Sequence, residues 1–470
     1  MSKIDEFLKF EKDNNLFDYN YKGVYFWALI RFNVYHDYYL KTKNAHPNLF
    51  ERKKFKNRFK FFKFIPKQII NKLLMKKKDL FISNDNIYKI IDEKRIDPFT
   101  DFFQRSDFTT HNHTVFSPIL SNDIIYLGTN DACITFKQYG YLFFYAMLKK
   151  IKLIKIPKEI IKLLNVLKHE NINISLDYGY FILKTICNFN LRKKFHKKLI
   201  QDRFKCIVLV DHYNTNHMSL CSAAQELNIP SIELQHGIIG NQHIAYNFFD
   251  MSANNKYLPK YIFTFGNYFN DSMRLPNETT SVSVGYPQMD FSKNKYKNII
   301  KNKKQIIFYS QGAIGDKLSK LAVNIAKLTS NNGYLIKYKL HPSECETWKK
   351  DYPHLVYEKN IELLDQTMNV HELLSSAEFH VGVYSTVLIE ALAFNGTVFV
   401  YNTSDDDIEY MKDFIKIGCM HLFNNENELL NLLEHGIEKS DVNISEYLFK
   451  SNAIKNIENE VKKIINFLGK

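Results

Sequence analysis

Short, almost unbroken apolar runs alternate with longer stretches of helical period along most of this chain. Cys206–Val210, Ser231–Leu234, Tyr261–Phe265 and Ser281–Val284 read as strands, with a helix predicted over 218–227. Continuous apolar runs bounded by polar segments are the pattern of strands buried on both faces of a parallel sheet. Upstream, strand-like runs fall at Asp79–Ser83 and Asp123–Leu127, separated by a polar loop containing Thr109–Thr114. Helices are predicted near 137–166 and 172–202. Residues 1–45 have a helical pattern in which Tyr21–Arg31 forms an aromatic, apolar face. After a lysine-rich connector at 292–304 the alternation restarts. Its strands are expected at 305–309, 334–340, 354–357, 378–383 and 397–401. Its helices are expected near 316–330, 361–376, 385–395, 405–414, 426–435 and 443–467. Alternation of this kind implies an α/β fold, with mostly parallel sheets covered by helices on both faces. At 470 residues the chain exceeds the size of a single core, so two Rossmann-like domains facing across a cleft are expected, preceded by a helical N-terminal extension.

Composition is that of a soluble globular protein, 45% hydrophobic and 24% charged. The formal charge of +14 is uneven: residues 51–78 hold 12 Lys or Arg against one acid, about +11 (12 − 1). Phe55, Phe59, Phe61, Phe62 and Phe64 are interleaved with those charges. A basic, aromatic segment suits an anionic membrane surface, at roughly 1 kcal/mol per near-surface charge; the other reading is a solvated linker or helix packing on the domain. Nucleic acid is not expected as a partner, since no recognised binding module accompanies the patch. Six scattered cysteines without C-x-x-C spacing read as reduced thiols. The N-terminus lacks the apolar core of a secretion signal, and no apolar run is long enough to span a membrane. The expected location is cytoplasmic, peripheral to the inner face of the plasma membrane if the basic segment binds it.

Candidate chemistry sits at predicted strand ends, where open α/β sheets bind ligands. The strand ending at Val383 runs into a helix opening with Ser385 and Thr386. Free backbone N–H groups, the helix dipole and two hydroxyls make that start an anion site. Glu390 lies on the same face as Thr386, placed to accept from ribose hydroxyls. In His341-Pro342 the proline holds the chain extended, aiming the imidazole at the ligand side. The loop Ser310–Gly315 offers Gln311 and Gly312, where backbone can approach a ligand closely. In the first half Gln235-His236-Gly237 closes a strand, and His236 is suited to take a proton from a hydroxyl near neutral pH. Asp211, at the preceding strand end beside His212, orients His236, acts as base itself or caps the next helix. No H-E-x-x-H, C-x-x-C or G-x-S-x-G spacing is present, so neither a metal nor a serine nucleophile is expected.

His-Gly after one strand, His-Pro after another and a Ser/Thr-led helix running into Glu390-Ala391 resemble bacterial surface-polysaccharide glycosyltransferases of the GT-B fold. The pattern is similar both to capsule and lipopolysaccharide enzymes using CMP-activated sugars (sialyl- and Kdo-type) and to CDP-glycerol glycerophosphotransferases. The segment Gly23–Arg31 also looks like one found at the start of such proteins. The resemblance implies a helical, basic N-terminal segment at 1–78 packing on the first domain, a Rossmann-like acceptor domain at 79–290 and a Rossmann-like nucleotide-donor domain with a terminal helix at 300–470. It implies that His341, Pro342, Ser385, Thr386, Glu390, Gln311 and Gly312 hold the donor. His236 or Asp211 would be the base, with Gln235, Gly237 and His212 on the acceptor side. A nucleotide-sugar donor would be a substrate rather than a cofactor, and the acceptor a glycan or glycolipid. The chain lacks the Asp/Glu-Asp-Gly motif of the sialyl type, which leaves the general base open and weakens the CMP-sugar assignment against the CDP-glycerol one. An epimerase, and a non-catalytic polysaccharide-assembly binding protein, are further readings of the same architecture.

Overall fold

In the computed structural model of the chain the described residues are 2–40, 77–83, 89–91, 94–106, 108–109, 113–116, 155–172, 174–250, 256–404, 407–435 and 443–467. The basic segment 51–76 and the predicted strand at 123–127 lie outside them. The chain divides into two units, the first formed by 1–264, 269–284 and 454–470, the second by 265–268 and 285–453. The terminal helix Ala453–Phe467 therefore runs almost wholly in the first unit. This corrects the expected 300–470 domain: Ile457 and Val461 are fully buried, and Asn456 Nδ2 donates to the carbonyl of Val284 at 3.0 Å.

A short antiparallel hairpin of β1 (Asn20–Tyr21) and β2 (Val24–Tyr25) opens the first unit. Gly23 supplies the positive φ of +79° that its turn needs. This hairpin replaces part of the helix expected at Tyr21–Arg31; the helix itself starts at Phe26. The main sheet contains β3 (Leu80–Ser83), β6 (His113–Phe116), β7 (Cys206–Val210), β8 (Ser231–Leu234), β9 (Tyr261–Thr264) and β10 (Thr280–Ser283). Between them β4 (Lys89–Ile91) and β5 (Lys94–Ile96) form a separate hairpin. The main order is β10-β9-β8-β7-β3-β6, every neighbouring pair parallel. β6 begins within the segment expected to be a polar loop. The long helices Lys158–His169 and Leu176–Ile200 bury one face against the N-terminal helices Lys3–Asp13 and Phe26–Val34, in a core holding Phe7, Trp27, Leu163 and Ile182.

The second unit contains β11 (Asn302–Tyr309), β12 (Leu335–Lys339), β13 (Ile361–Leu364), β14 (Ala377–Gly382), β15 (Thr397–Tyr401) and β16 (His421–Phe423). Their order, β13-β12-β11-β14-β15-β16, is again parallel throughout. Growth outward from β11 in both directions is the doubly wound Rossmann order, with its switch point between β11 and β14. Two expectations are corrected here. Residues 354–357 are not a strand: Pro353–Val356 is a single helical turn led by proline. The edge strand is instead Ile361–Leu364, and the helix expected over 361–376 starts only at Val370, capped by Asn369.

Candidate active site

The first cluster forms where β7 and β8 end. Glu233, the third residue of β8, is fully buried. A lone carboxylate there would be costly, and its surroundings compensate it. Its Oε2 lies 2.7 Å from His212 Nδ1, and its Oε1 accepts from the His212 backbone N–H at 3.2 Å and from the Tyr246 hydroxyl at 2.7 Å. His236 Nδ1 stands 3.8 Å from the same Oε1. Burial acts to raise the Glu233 pKa, but the charge and hydrogen bond of His212, the charge of His236 and the Tyr246 hydroxyl hold it at about 2. Glu233 is thus a carboxylate at neutral pH, shared by two imidazoles.

The second nitrogen of His236 meets a tyrosine. Nε2 is 3.1 Å from the Tyr213 hydroxyl, and the ring is half-buried. On its other side Nδ1 faces Glu233 Oε1 at 3.8 Å, beyond hydrogen-bond reach, and finds no hydrogen-bond partner among the described residues. Asp211 follows β7 with φ +59°, and its carbonyl accepts from Asn214 Nδ2 at 2.9 Å. Asn214, not Asp211, caps the helix Thr215–Glu226, its side chain accepting from His217 N. Of the three roles expected for Asp211, the cap falls to Asn214, and a carboxylate that faces the His236 ring is that of Glu233. Two expected acceptor contacts are also corrected: His212 is 2% exposed and committed to Glu233, and Gln235 is 1% exposed and donates to the Gly237 carbonyl at 2.7 Å. Gly237 has open space where a side chain would stand. Nearby, burial raises the Asp97 carboxyl to about 6 despite two backbone N–H donors, and Phe99, two residues on, packs edge-on against His236.

The second cluster forms at the ends of β11, β12 and β14, around the switch point. Its hub is Glu344, 3% exposed. Oε1 accepts from Ser310 Oγ at 2.9 Å and from the Tyr352 hydroxyl at 2.6 Å, while Oε2 accepts from the His341 backbone N–H at 2.7 Å. One carboxylate thereby ties the loop after β11 to the loop after β12. His341 itself is exposed, as is Pro342. Its Nδ1 accepts from the Ser343 backbone N–H at 3.2 Å and lies 2.7 Å from Ser343 Oγ. A backbone N–H can only donate, so Nδ1 is the acceptor and the neutral ring carries its proton on Nε2, turned outward as a donor.

Ser385 caps the helix Thr386–Ala393, its Oγ accepting from Val387 N at 3.4 Å, which leaves its own proton to donate. Thr386 is exposed at the first helical position. Gly312 is exposed with open space above it, whereas Gly315 is forced to be glycine, since a Cβ would lie 2.0 Å from the Tyr352 hydroxyl. Gln311 Oε1 is buried and finds no hydrogen-bond partner among the described residues. Glu390 pairs with buried His371 at 3.2 Å, and that imidazole reaches Ser292 Oγ at 2.6 Å. Glu390 is therefore engaged within the unit.

Around the expected His236 and His341 the structure places four residues that the sequence did not single out: Glu233, Tyr213, Tyr246 and Glu344. A detectable signal existed for Glu233: a glutamate inside a strand otherwise built for burial requires partners. Nothing in sequence marked Glu344, three residues beyond His341, as more than a surface acid.

Two doubly wound parallel α/β units, each carrying a polar cluster at its strand ends, define the class. No protein-family model matches the chain, and no curated protein matches it. Among solved structures it is similar to the UDP-GlcNAc 2-epimerase of Methanocaldococcus jannaschii, at 11% identity and TM-score 0.47 over 82% of this chain and 99% of that one. It is similar to the Neisseria meningitidis UDP-GlcNAc 2-epimerase bound to UDP-GlcNAc, at 14% identity and TM-score 0.43 over 82% and 100%. It is similar also to the wall teichoic acid polymerase TagF, at 11% identity and TM-score 0.45 over 87% and 95%.

Proposed function

We propose that this protein is a nucleotide-sugar-dependent glycosyltransferase acting on a surface glycan or glycolipid, with a sialic acid or Kdo-like sugar from a CMP donor as the first candidate. The observation that carries the reading is His236 held between Glu233 and Tyr213 at the end of β8. In the reaction the acceptor oxygen attacks the anomeric carbon and its proton passes to His236 Nε2, while Glu233 stabilises the imidazolium. The bond from that carbon to the nucleotide's phosphate oxygen breaks, and the phosphate keeps the electron pair. Within the second unit, the His341 Nε2–H, the Ser385 and Thr386 hydroxyls and the start of their helix are donors suited to the negative charge of a nucleotide's phosphate.

The same groups serve transfer of glycerol phosphate from CDP-glycerol, where the acceptor attacks phosphorus. Incubation with CMP-sugars, UDP-sugars and CDP-glycerol, followed by mass spectrometry of the product, separates the two. Expected is a glycosylated product that disappears in His236→Ala and His341→Ala while both variants stay folded. Unchanged turnover in both variants overturns the reading. The basic segment 51–78 is proposed to hold the enzyme at an anionic membrane, as its charge of about +11 (12 − 1) would allow. Co-flotation with vesicles containing anionic lipid that weakens with salt is the expected result. Among the described residues no helix is long and apolar enough to cross a membrane.

A further inference from the structure

The lysine-rich connector at 292–304 has no part in either polar cluster, and in the structure it is more than a bare linker. It leads into the N-terminal end of β11, where Lys301 Nζ donates to the Asn395 carbonyl at 2.7 Å and Lys304 Nζ to the Asn332 carbonyl at 2.8 Å. Lys304 also stands over the Tyr334 ring, 5.9 Å from its centroid. The turns that open β11, β12 and β15 are thereby tied together at one end of the second sheet. Because its strands are all parallel, this end lies opposite the Glu344 cluster, about 17 Å away along a five-residue strand.

This end holds large apolar side chains out in water. Ile300 is 92% exposed, Leu328 at the close of the helix Gly315–Leu328 is 54% exposed, and Leu335 at the start of β12 is 52% exposed. They stand on adjoining turns: Leu328 and Leu335 bracket the turn whose Asn332 carbonyl holds Lys304, and Ile300 directly precedes Lys301. Lysines accompany them. Residues 296–304 and 327–335 contain Lys297, Lys301, Lys303, Lys304 and Lys327 and no acid. Two acids approach from neighbouring elements, Glu434 acting on the Tyr334 hydroxyl and Glu378 accepting from Thr397 Oγ1 at 3.3 Å, and the balance stays positive.

We propose that this end of the second unit is a lipid-contact surface for an anionic bilayer. Ile300, Leu328 and Leu335 enter the boundary between headgroups and acyl chains, while Lys297, Lys303 and Lys327 meet lipid phosphates. Separate apolar tips among lysines suit a fluid anionic interface, which takes side chains singly and supplies negative charge on every side. Lysine stems lie along apolar surface and keep their charge at the phosphate layer. A protein partner is the poorer fit, since the centre of a protein interface is depleted of lysine. Neither the transfer chemistry nor the segment 51–78 enters into this surface. Bound this way, the second unit keeps its Glu344 cluster turned to the water.

The test is flotation of the full chain with phosphatidylcholine vesicles that hold or lack phosphatidylglycerol. It is joined to the fluorescence of Ile300→Trp, read above the background of the chain's two native tryptophans. Expected is flotation that needs phosphatidylglycerol, with the introduced indole quenched by lipids brominated in their acyl chains. Replacing Lys297, Lys303 and Lys327 together by Gln should weaken binding on the order of a hundredfold, about fivefold per charge. Ile300→Ser with Leu335→Ser should weaken it about tenfold or more, and both sets should keep the parent's melting point. No flotation of the parent, equal flotation without phosphatidylglycerol, or flotation with the indole unquenched would overturn the surface. Self-association that Ile300→Ser with Leu335→Ser abolishes, in a chain that ignores lipid, would assign the face to a second copy instead. Quenching that survives neutralisation of the 51–78 lysines leaves this surface standing without that segment. Salt-sensitive flotation with an unquenched indole does the reverse.

Discussion

At the scale of single residues, two buried glutamates organise the two clusters. Glu233 has its pKa depressed from 4.5 to about 2, so its charge stabilises the fold above 4.5 and the contribution is lost as pH falls toward 2. A depression of that size corresponds to about 3 kcal/mol. Glu233→Gln keeps the shape and an acceptor oxygen but removes the charge. Urea denaturation should show the variant weaker by that order at pH 7, with the gap closing between pH 4.5 and 2. A gap that stays constant with pH would separate the effect from ionisation. Glu344 holds the His341 backbone N–H, so under the proposed function it positions His341. Glu344→Gln weakens the hold on the His341 N–H, and the thermal shift produced by CMP or CDP should shrink while the unliganded melting point moves less than in Glu344→Ala. Equal nucleotide shifts in both proteins would divorce Glu344 from the proposed donor site. His236 and His341 were legible in sequence because glycine and proline flank them at strand ends. The glutamates were not, because their meaning lies in partners 21 residues away in the His212–Glu233 pair and 34 away in the Ser310–Glu344 pair.

At the scale of elements, most strands announced themselves, since buried parallel strands are apolar on both faces, as in β7 where all five residues are buried. The failures fall where one face is exposed. β13 shows buried Ile361 and Leu364 with Glu362 exposed between them, a spacing that a helix turn satisfies equally well. The N-terminal helices, expected as a segment packing on the first domain, lie within the first unit. Arg31 and Glu11 are 3% and 2% exposed. Arg31→Met strands a buried carboxylate and frees two carbonyls, so a loss of about 3–5 kcal/mol is expected. Adding Glu11→Gln removes the orphan charge and still offers the Trp27 Nε1–H, now 2.7 Å from Glu11 Oε1, an acceptor. The double variant should recover part of the loss, read as a coupling in a double-mutant cycle. Strict additivity would show that the pair stabilises nothing beyond its separate contacts.

At the scale of the whole molecule, the chain passes from the first unit to the second and ends back in the first. The passage is sterically exacting at Gly285, which has φ +103° and faces the Lys450 carbonyl where a Cβ would approach to 2.2 Å. No periodicity in the terminal helix reveals which core receives it, because an amphipathic helix fits either sheet equally well; only tertiary packing decides. The decision has a measurable consequence. Ile457, Val461, Ile464 and Ile465 are each less than 10% exposed. Burying each is worth about 1.5–3 kcal/mol, an upper estimate, against a domain stability of about 5–15 kcal/mol. Truncation after Ala453 should therefore cost most of the first unit's stability and little of the second's. Hydrogen exchange reads the two separately: amides of β7 and β8 should lose protection in the truncated chain while those of β11 and β14 keep theirs. Loss of protection confined to β11 and β14 would assign the helix to the other core, and uniform loss would mean that the two units unfold as one.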